Sequence, residues 1–309
     1  VRRIPWLIAL LLTLTVIITA CGDKQKLVLR LEPSDVQSYR VTIDQIYSLR
    51  RQASFQQEFE SHQIFDLEQE ILPTESAEQT RIRVVFRRIR LHAEARRNDP
   101  IQFDTSADPQ GLRPSERAIY ALLDRAIVLT FDTSGELTKI EGLEAVFQAA
   151  RRELAGAQVG REALATLRQH YGRSFFLNLY GAIFTVFPEK PQTNPPQWQR
   201  KRTIYKAMLG TLTFKQTCRE VESEGNTTIA FEGLIRPELQ PAGAQGELPS
   251  GGTVLALKQG TVQGEVTFDL KKGRLEKLEQ EMLFLLGFAG EDNRHPNQKT
   301  TIKTYMERL

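Results

Sequence analysis

Arg81-Ile-Arg-Val-Val-Phe-Arg-Arg-Ile-Arg-Leu-His-Ala-Glu-Ala95 carries the pattern that decides the fold. Ile82, Val84 and Phe86 share one parity, whereas Ile89, Leu91, Ala93 and Ala95 take the other. Side chains alternate across a strand with period 2, so a break of this kind would turn half of the apolar residues to the wrong face. One extra residue near Arg87 restores a continuous apolar face, which is what a β-bulge does. A long bulged strand belongs in a curved antiparallel sheet.

Outward from this strand the chain reads mostly as β. Tyr39–Tyr47 alternates Tyr39, Val41 and Ile43 with polar partners, and Leu27–Leu31 makes an opening strand. Further strands are expected over 211–221, 227–235, 253–269, 274–286 and 298–307. The stretch 141–187 differs. Leu143, Val146, Phe147, Ala150 and Leu154 recur at helical spacing, as do Leu164, Leu167 and Tyr171. Helices punctuated by Gly156, Gly160 and Gly172 are expected there. The fold class is therefore mainly β (α+β): a curved antiparallel sheet or half-barrel with a helical insertion at about 141–187. The loop 236–252 is too long for a tight turn.

The segment 130–141 echoes 267–279. Thr130-Phe-Asp-Thr-Ser-Gly135 and Thr267-Phe-Asp269 to Gly273 both read strand, Asp, short loop, Gly, strand. The Asp side chain is suited to bonding turn amides and the Gly to a left-handed backbone. Common hairpin chemistry and a duplicated half-sheet both account for the echo.

The beginning of the chain points to export. Arg2 and Arg3 precede an uncharged run of 15 residues, Trp6–Ala20, short of the roughly 20 that span a bilayer. Ile18-Thr19-Ala20-Cys21 then resembles the lipobox of bacterial lipoproteins. That resemblance implies cleavage between Ala20 and Cys21 and a lipid on Cys21, so that residues 1–20 are a signal peptide and 21–26 a tether. Gly22 directly after the cysteine favours the outer over the inner membrane. One β-rich domain, 27–309, is expected to follow, held close to the bilayer in the cell envelope.

Further along, the chain is similar to a family of bacterial lipoproteins known only as a domain of unknown function. The shared features are Phe131–Gly135, Ile140-Glu-Gly142, Phe187–Pro191, Trp198, Gly260–Gly264, Phe268-Asp269 and Gly273. Asn194-Pro-Pro196 stands where that family carries a glycine before the tryptophan. More loosely, a lipobox followed by a curved sheet with a helical insertion resembles lipoprotein-carrier half-barrels, an analogy at the level of fold.

Function is less legible. Removing residues 1–20 lowers the formal charge from +3 to about +1, so no nucleic-acid partner is expected. His62, His92, His170 and His295 are scattered, and no metal, cofactor or catalytic motif emerges. Asp104 and Asp108 read as turn residues. Cys218 shares parity with Leu212 and Phe214 and reads as a buried hydrophobe. Arg81, Arg83, Arg87, Arg88 and Arg90 would meet anionic lipid or form a solvated face, and the second reading outweighs the first.

Phe175, Phe176, Leu179, Tyr180, Ile183 and Phe184 are apolar on nearly all sides of a helix. They read either as packed core or as the lining of an apolar-ligand pocket. The expectation is a non-enzymatic binding module for a lipid or other apolar ligand. The alternative is an interaction lipoprotein that docks an envelope protein.

Overall fold

The computed structural model describes residues 33–288 and 296–309, apart from 52, 75, 77, 97, 109–111, 155–157, 190–196, 207–208, 223–225 and 237–254. Cys21, Ala20, the strand expected at Leu27–Leu31, most of the 236–252 loop and His295 lie outside the described residues.

The first half of the sheet comprises β1 (Gln37–Arg51), β2 (Ser54–Leu72), β3 (Gln79–Ala95), β4 (Asn98–Asp104), β5 (Ala126–Asp132) and β6 (Leu137–Glu141). The second comprises β7 (Trp198–Lys206), β8 (Gly210–Glu222), β9 (Thr227–Ile235), β10 (Leu255–Asp269), β11 (Arg274–Phe288) and β12 (Gln298–Arg308). All twelve form one sheet in the order β6-β5-β3-β2-β1-β12-β11-β10-β9-β8-β7, with β4 paired to β3 off this path. The named strands pair antiparallel throughout. The sheet is strongly curved. Tyr39 on β1 reaches across β12 to donate its hydroxyl to the Leu275 carbonyl on β11 at 2.9 Å.

The bulge falls where the parity break places it. Asp66 pairs with Arg88 and Leu67 with Phe86, which leaves Arg87 as the extra residue. Ile82, Val84, Phe86, Ile89 and Ala93 are consequently all buried on one side. β2 was not among the expected strands, and its inner face explains why. Ser61 and Gln69 are buried there beside Phe65 and Leu67, so the apolar alternation that marks a strand is diluted.

The two echoed hairpins share their turn chemistry. Asp132 Oδ1 accepts from the amides of Ser134 and Glu136, and Asp269 Oδ1 accepts from the Lys272 amide. Gly135 and Gly273 have φ of 78° and 59°. The pairing register breaks just before each phenylalanine, at Thr130/Phe131 and at Thr267/Phe268. Phe131 then packs 4.6 Å from Phe184, and Phe268 packs 4.8 Å from Phe187.

Four helices lie among the described residues: α1 (Pro114–Tyr120), α2 (Leu143–Glu153), α3 (Gln158–Tyr171) and α4 (Arg173–Phe184). The last three form the expected insertion. α1 lies outside it, announced by Pro114 in its first turn and by Glu116, which accepts from the Arg113 amide at 2.8 Å. α4 is apolar on nearly all sides, and eight of its twelve residues are buried. It touches both end strands of the sheet. Arg173 donates to the Leu137 carbonyl of β6 at 2.7 Å, and Asn178 binds the Tyr205 backbone of β7. Arg200 of β7 donates to the Ser134 carbonyl in the β5–β6 turn and to the Thr185 carbonyl at the end of α4. A helix thus bridges the two free ends of an open sheet, and edge strands that would otherwise template further pairing are covered.

Candidate functional site

The six side chains expected as core or pocket lining come together on α4. Phe175, Phe176, Leu179, Tyr180, Ile183 and Phe184 are all buried. Phe175 packs 5.3 Å from Phe65 and 5.3 Å from Phe176, and the Tyr180 and Phe184 rings stack at 6.1 Å. The Tyr180 hydroxyl lies 3.3 Å from Gln69 Oε1, and burial pushes its pKa well above the ordinary tyrosine value. The cavity beside Ile183 and Phe184, bounded also by Ile71 and Phe268, is about 10 Å³. A single water molecule needs roughly 10–15 Å³ on the same measure, so this space suits no acyl chain. In this arrangement the six residues act as interlocked core.

The opposite wall of the interior is basic. Inward positions of β7 run Trp198, Arg200, Arg202 and Ile204, all buried, and then Lys206, which is partly buried. Arg200 is consumed by the bridge to α4 and the β5–β6 turn, with Glu189 3.3 Å from its Nη1. Arg202 is 1% exposed and makes one bond, from Nη2 to the Asn178 carbonyl at 3.2 Å. Burial draws its pKa down to about 9 and that of Lys206 down to about 8. Nothing in the sequence flagged this row, because Gln199, Lys201 and Thr203 on the outer side are polar too and no apolar face marks the strand. Cys218, buried between these cations and the core, has its thiol pushed up to about 12 by burial, as befits an inert hydrophobe.

Outside the sheet, a groove of about 860 Å³ runs over β8, β9 and β10. Thr213, Lys215, Glu232, Leu234, Arg236 and Gln263 edge it, and Phe214 and Gly233 lie at its floor. Leu234 is 53% exposed, an uncommon position for a large apolar side chain in a strand.

The arginines of β3 are neutralised, in accord with the solvated-face reading. Arg81 pairs with Glu141, Arg83 with Glu70, Arg90 with Asp66, and Arg87 with both Glu68 and Asp124. Arg88 forks onto Asp104 at 3.0 and 2.5 Å, which holds that carboxyl far below the usual range. Asp104 also accepts from the Ser106 amide, the turn role expected of it.

His62 and His92 are 30 positions apart in sequence yet directly opposed on β2 and β3. His62 Nδ1 contacts Asp44 at 2.5 Å and His92 Nε2 contacts Glu94 at 2.9 Å. Among the described residues no three His, Cys, Asp or Glu side chains are arranged to hold a metal ion.

A family model described as "Family of unknown function (DUF6263)" matches residues 77–275. No curated protein matches the chain. The structure of DynF from the dynemicin biosynthesis pathway of Micromonospora chersina is similar at 6% identity, over 93% of this chain and 86% of that one, with a TM-score of 0.21. The COG4313 outer membrane channel from Pseudomonas putida F1 is similar at 7% identity, over 93% and 98%, with a TM-score of 0.16. OccK8 (OprE) of Pseudomonas aeruginosa is similar at 7% identity, over 89% and 98%, with a TM-score of 0.17. Scores this low carry no argument about architecture or role.

Proposed function

The chain belongs to a family of unknown function (DUF6263), and from that footing we propose that it is a non-enzymatic interaction lipoprotein of the bacterial envelope. In this reading it is tethered through a lipid on Cys21 and docks an envelope protein through the groove over β8, β9 and β10. The groove carries the proposal, because it is concave, about 860 Å³ in volume, and sets exposed Leu234 among Lys215, Glu232 and Arg236. An apolar anchor inside a charged rim is the usual anatomy of a protein-binding patch.

Carriage of a lipid beneath the helices needs a continuous apolar cavity. The cavity of about 10 Å³ beside Phe184 supports docking over carriage. The absence of a catalytic motif from the sequence supports a binding role over an enzymatic one.

Two experiments test the reading. Cys21→Ala removes the attachment sulfur, so the variant should carry no fatty acid and leave the membrane fraction. A variant that still carries lipid sinks the anchor assignment. A photo-crosslinker at Leu234 in the full lipoprotein should form a discrete protein adduct that Lys215→Glu with Arg236→Glu abolishes, whereas one at exposed Tyr305 on β12 should not. No adduct at Leu234, together with a lipid that co-purifies in native mass spectrometry, would return the reading to carriage.

A further inference from the structure

β7 carries one fully buried cation, Arg202, and one partly buried, Lys206, and among the described residues no acid pairs with either. Nε and Nη1 of Arg202 have no hydrogen-bond partner. Its guanidinium carbon stands 5.8 Å from the centre of the Phe231 ring, and that ring lies across β10 where a side chain at Gly264 would otherwise stand. Lys206, four residues along the same inward face, sits 5.4 Å from the centre of the Phe284 ring. Neither cation forms an ion pair among the described residues. Two buried side-chain acceptors on the same inner wall, Gln216 Oε1 of β8 and Gln280 Oε1 of β11, also lack partners.

Water could satisfy the orphan hydrogen bonds, since a bridging molecule both donates and accepts. It would leave the charge untouched. An isolated buried cation costs several kcal/mol unless something of opposite sign enters with it. The π face of Phe231 offsets only a fraction of that, about 2 kcal/mol at most for a desolvated contact.

We infer that the interior of the sheet between β7 and β9–β11 is an anion site, anchored by Arg202 with Lys206 as the second positive charge. The ligand class is a small monovalent oxyanion or halide. Both present the same chemistry to Arg202, a compact negative charge with acceptor lone pairs for Nε and Nη1. The site is distinct from the outer groove, so it stands or falls independently of the docking proposal.

Thermal unfolding of the full chain, purified into low-salt buffer with gluconate as the bulky counter-ion, tests the site. Chloride, acetate and laurate are the probes. The wild-type midpoint should rise by roughly 4 °C or more once a bound probe exceeds its half-saturating level about a hundredfold. Arg202→Met should abolish that rise. In gluconate it should unfold no earlier than wild type, because an apolar side chain of similar length replaces an uncompensated charge. Lys206→Met should keep the response but need several-fold more probe, which serves as the second reading if Arg202→Met does not fold.

A response to chloride or acetate supports the site, whereas a response to laurate alone overturns the small-anion assignment. No response from wild type to any probe overturns the proposal and leaves the orphan groups to buried water. An equal response in the Arg202→Met and Lys206→Met variants overturns it as well, since that marks a general salt effect.

Discussion

Asn178 and Tyr205 meet as two strands would: the Asn178 carboxamide donates to the Tyr205 carbonyl and accepts from the Tyr205 amide, each at 2.8 Å. One helical side chain thereby stands in for a neighbouring strand at the free edge of β7. Asn178→Leu keeps the volume and removes both bonds, leaving two half-buried main-chain groups without partners. It should cost about 2 kcal/mol in urea unfolding. Hydrogen exchange at the Tyr205 amide should quicken selectively, and unchanged exchange there would refute the edge-capping role.

The turn at Gly135 is tight for two reasons. Its φ is 78°, and a Cβ there would stand 2.3 Å from the Phe184 carbonyl oxygen. Gly210 has a similar φ of 73° but open space around it. Gly135→Ala should therefore cost about 3 kcal/mol and Gly210→Ala about 1 kcal/mol, the second reflecting backbone strain alone. Equal losses in the two variants would show that the contact with α4 contributes nothing.

Lys206 makes stability depend on pH in an unusual direction. Burial draws its pKa from the ordinary 10.5 to about 8. Below pH 8 both the folded and the unfolded chain hold the proton, and the folded state bears the whole penalty. Between pH 8 and about 10 the folded chain releases it first, so stability rises with pH. The gain should be on the order of 2 kcal/mol in chemical unfolding at low salt. Lys206→Met should flatten that segment of the profile. Above pH 10 the buried hydroxyls of Tyr39 and Tyr180, both held above their ordinary values, reverse the trend.

At the bulge, the residue's presence matters more than its chemistry. Arg87→Ala removes exposed ion pairs to Glu68 and Asp124 and should cost less than about 1 kcal/mol. Deletion of Arg87 shifts the register of everything after it, so Ile89, Leu91 and Ala93 would turn outward. The deletion should yield no cooperative unfolding transition by circular dichroism. A folded deletion variant would mean that the bulge is dispensable.

Local chemistry was legible in the sequence, and long-range pairing was not. The bulge at Arg87, the Asp132 and Asp269 turns, and β9 at Thr227–Ile235 follow from residues a few positions apart. β2 stayed hidden because Ser61 and Gln69 interrupt its inner face, and β7 because Arg200 and Arg202 occupy its own. The facing of His62 and His92 exists only once β2 and β3 are in register. Arg200 and Ser134 are 66 positions apart, so no pattern in either segment foretells their bond. The α4 aromatics are legible as one apolar group, whereas the volume beside them is set by β2, β10 and β11 and is not.

β12 joins β1 to β11 in the middle of the sheet, yet it is the last described strand in chain order. The β1–β6 half and the β7–β11 half are consequently held together by a joint that any directional process delivers after the other described strands. Until those residues arrive, β1 and β11 are both open edges, and the pairing they await spans more than two hundred positions for β1. Such non-local closure is slow, and unpaired edges invite association with other chains in the meantime. Loss of Gln298–Arg308 would remove the keystone of the sheet and leave its halves joined through the interior contacts around α4.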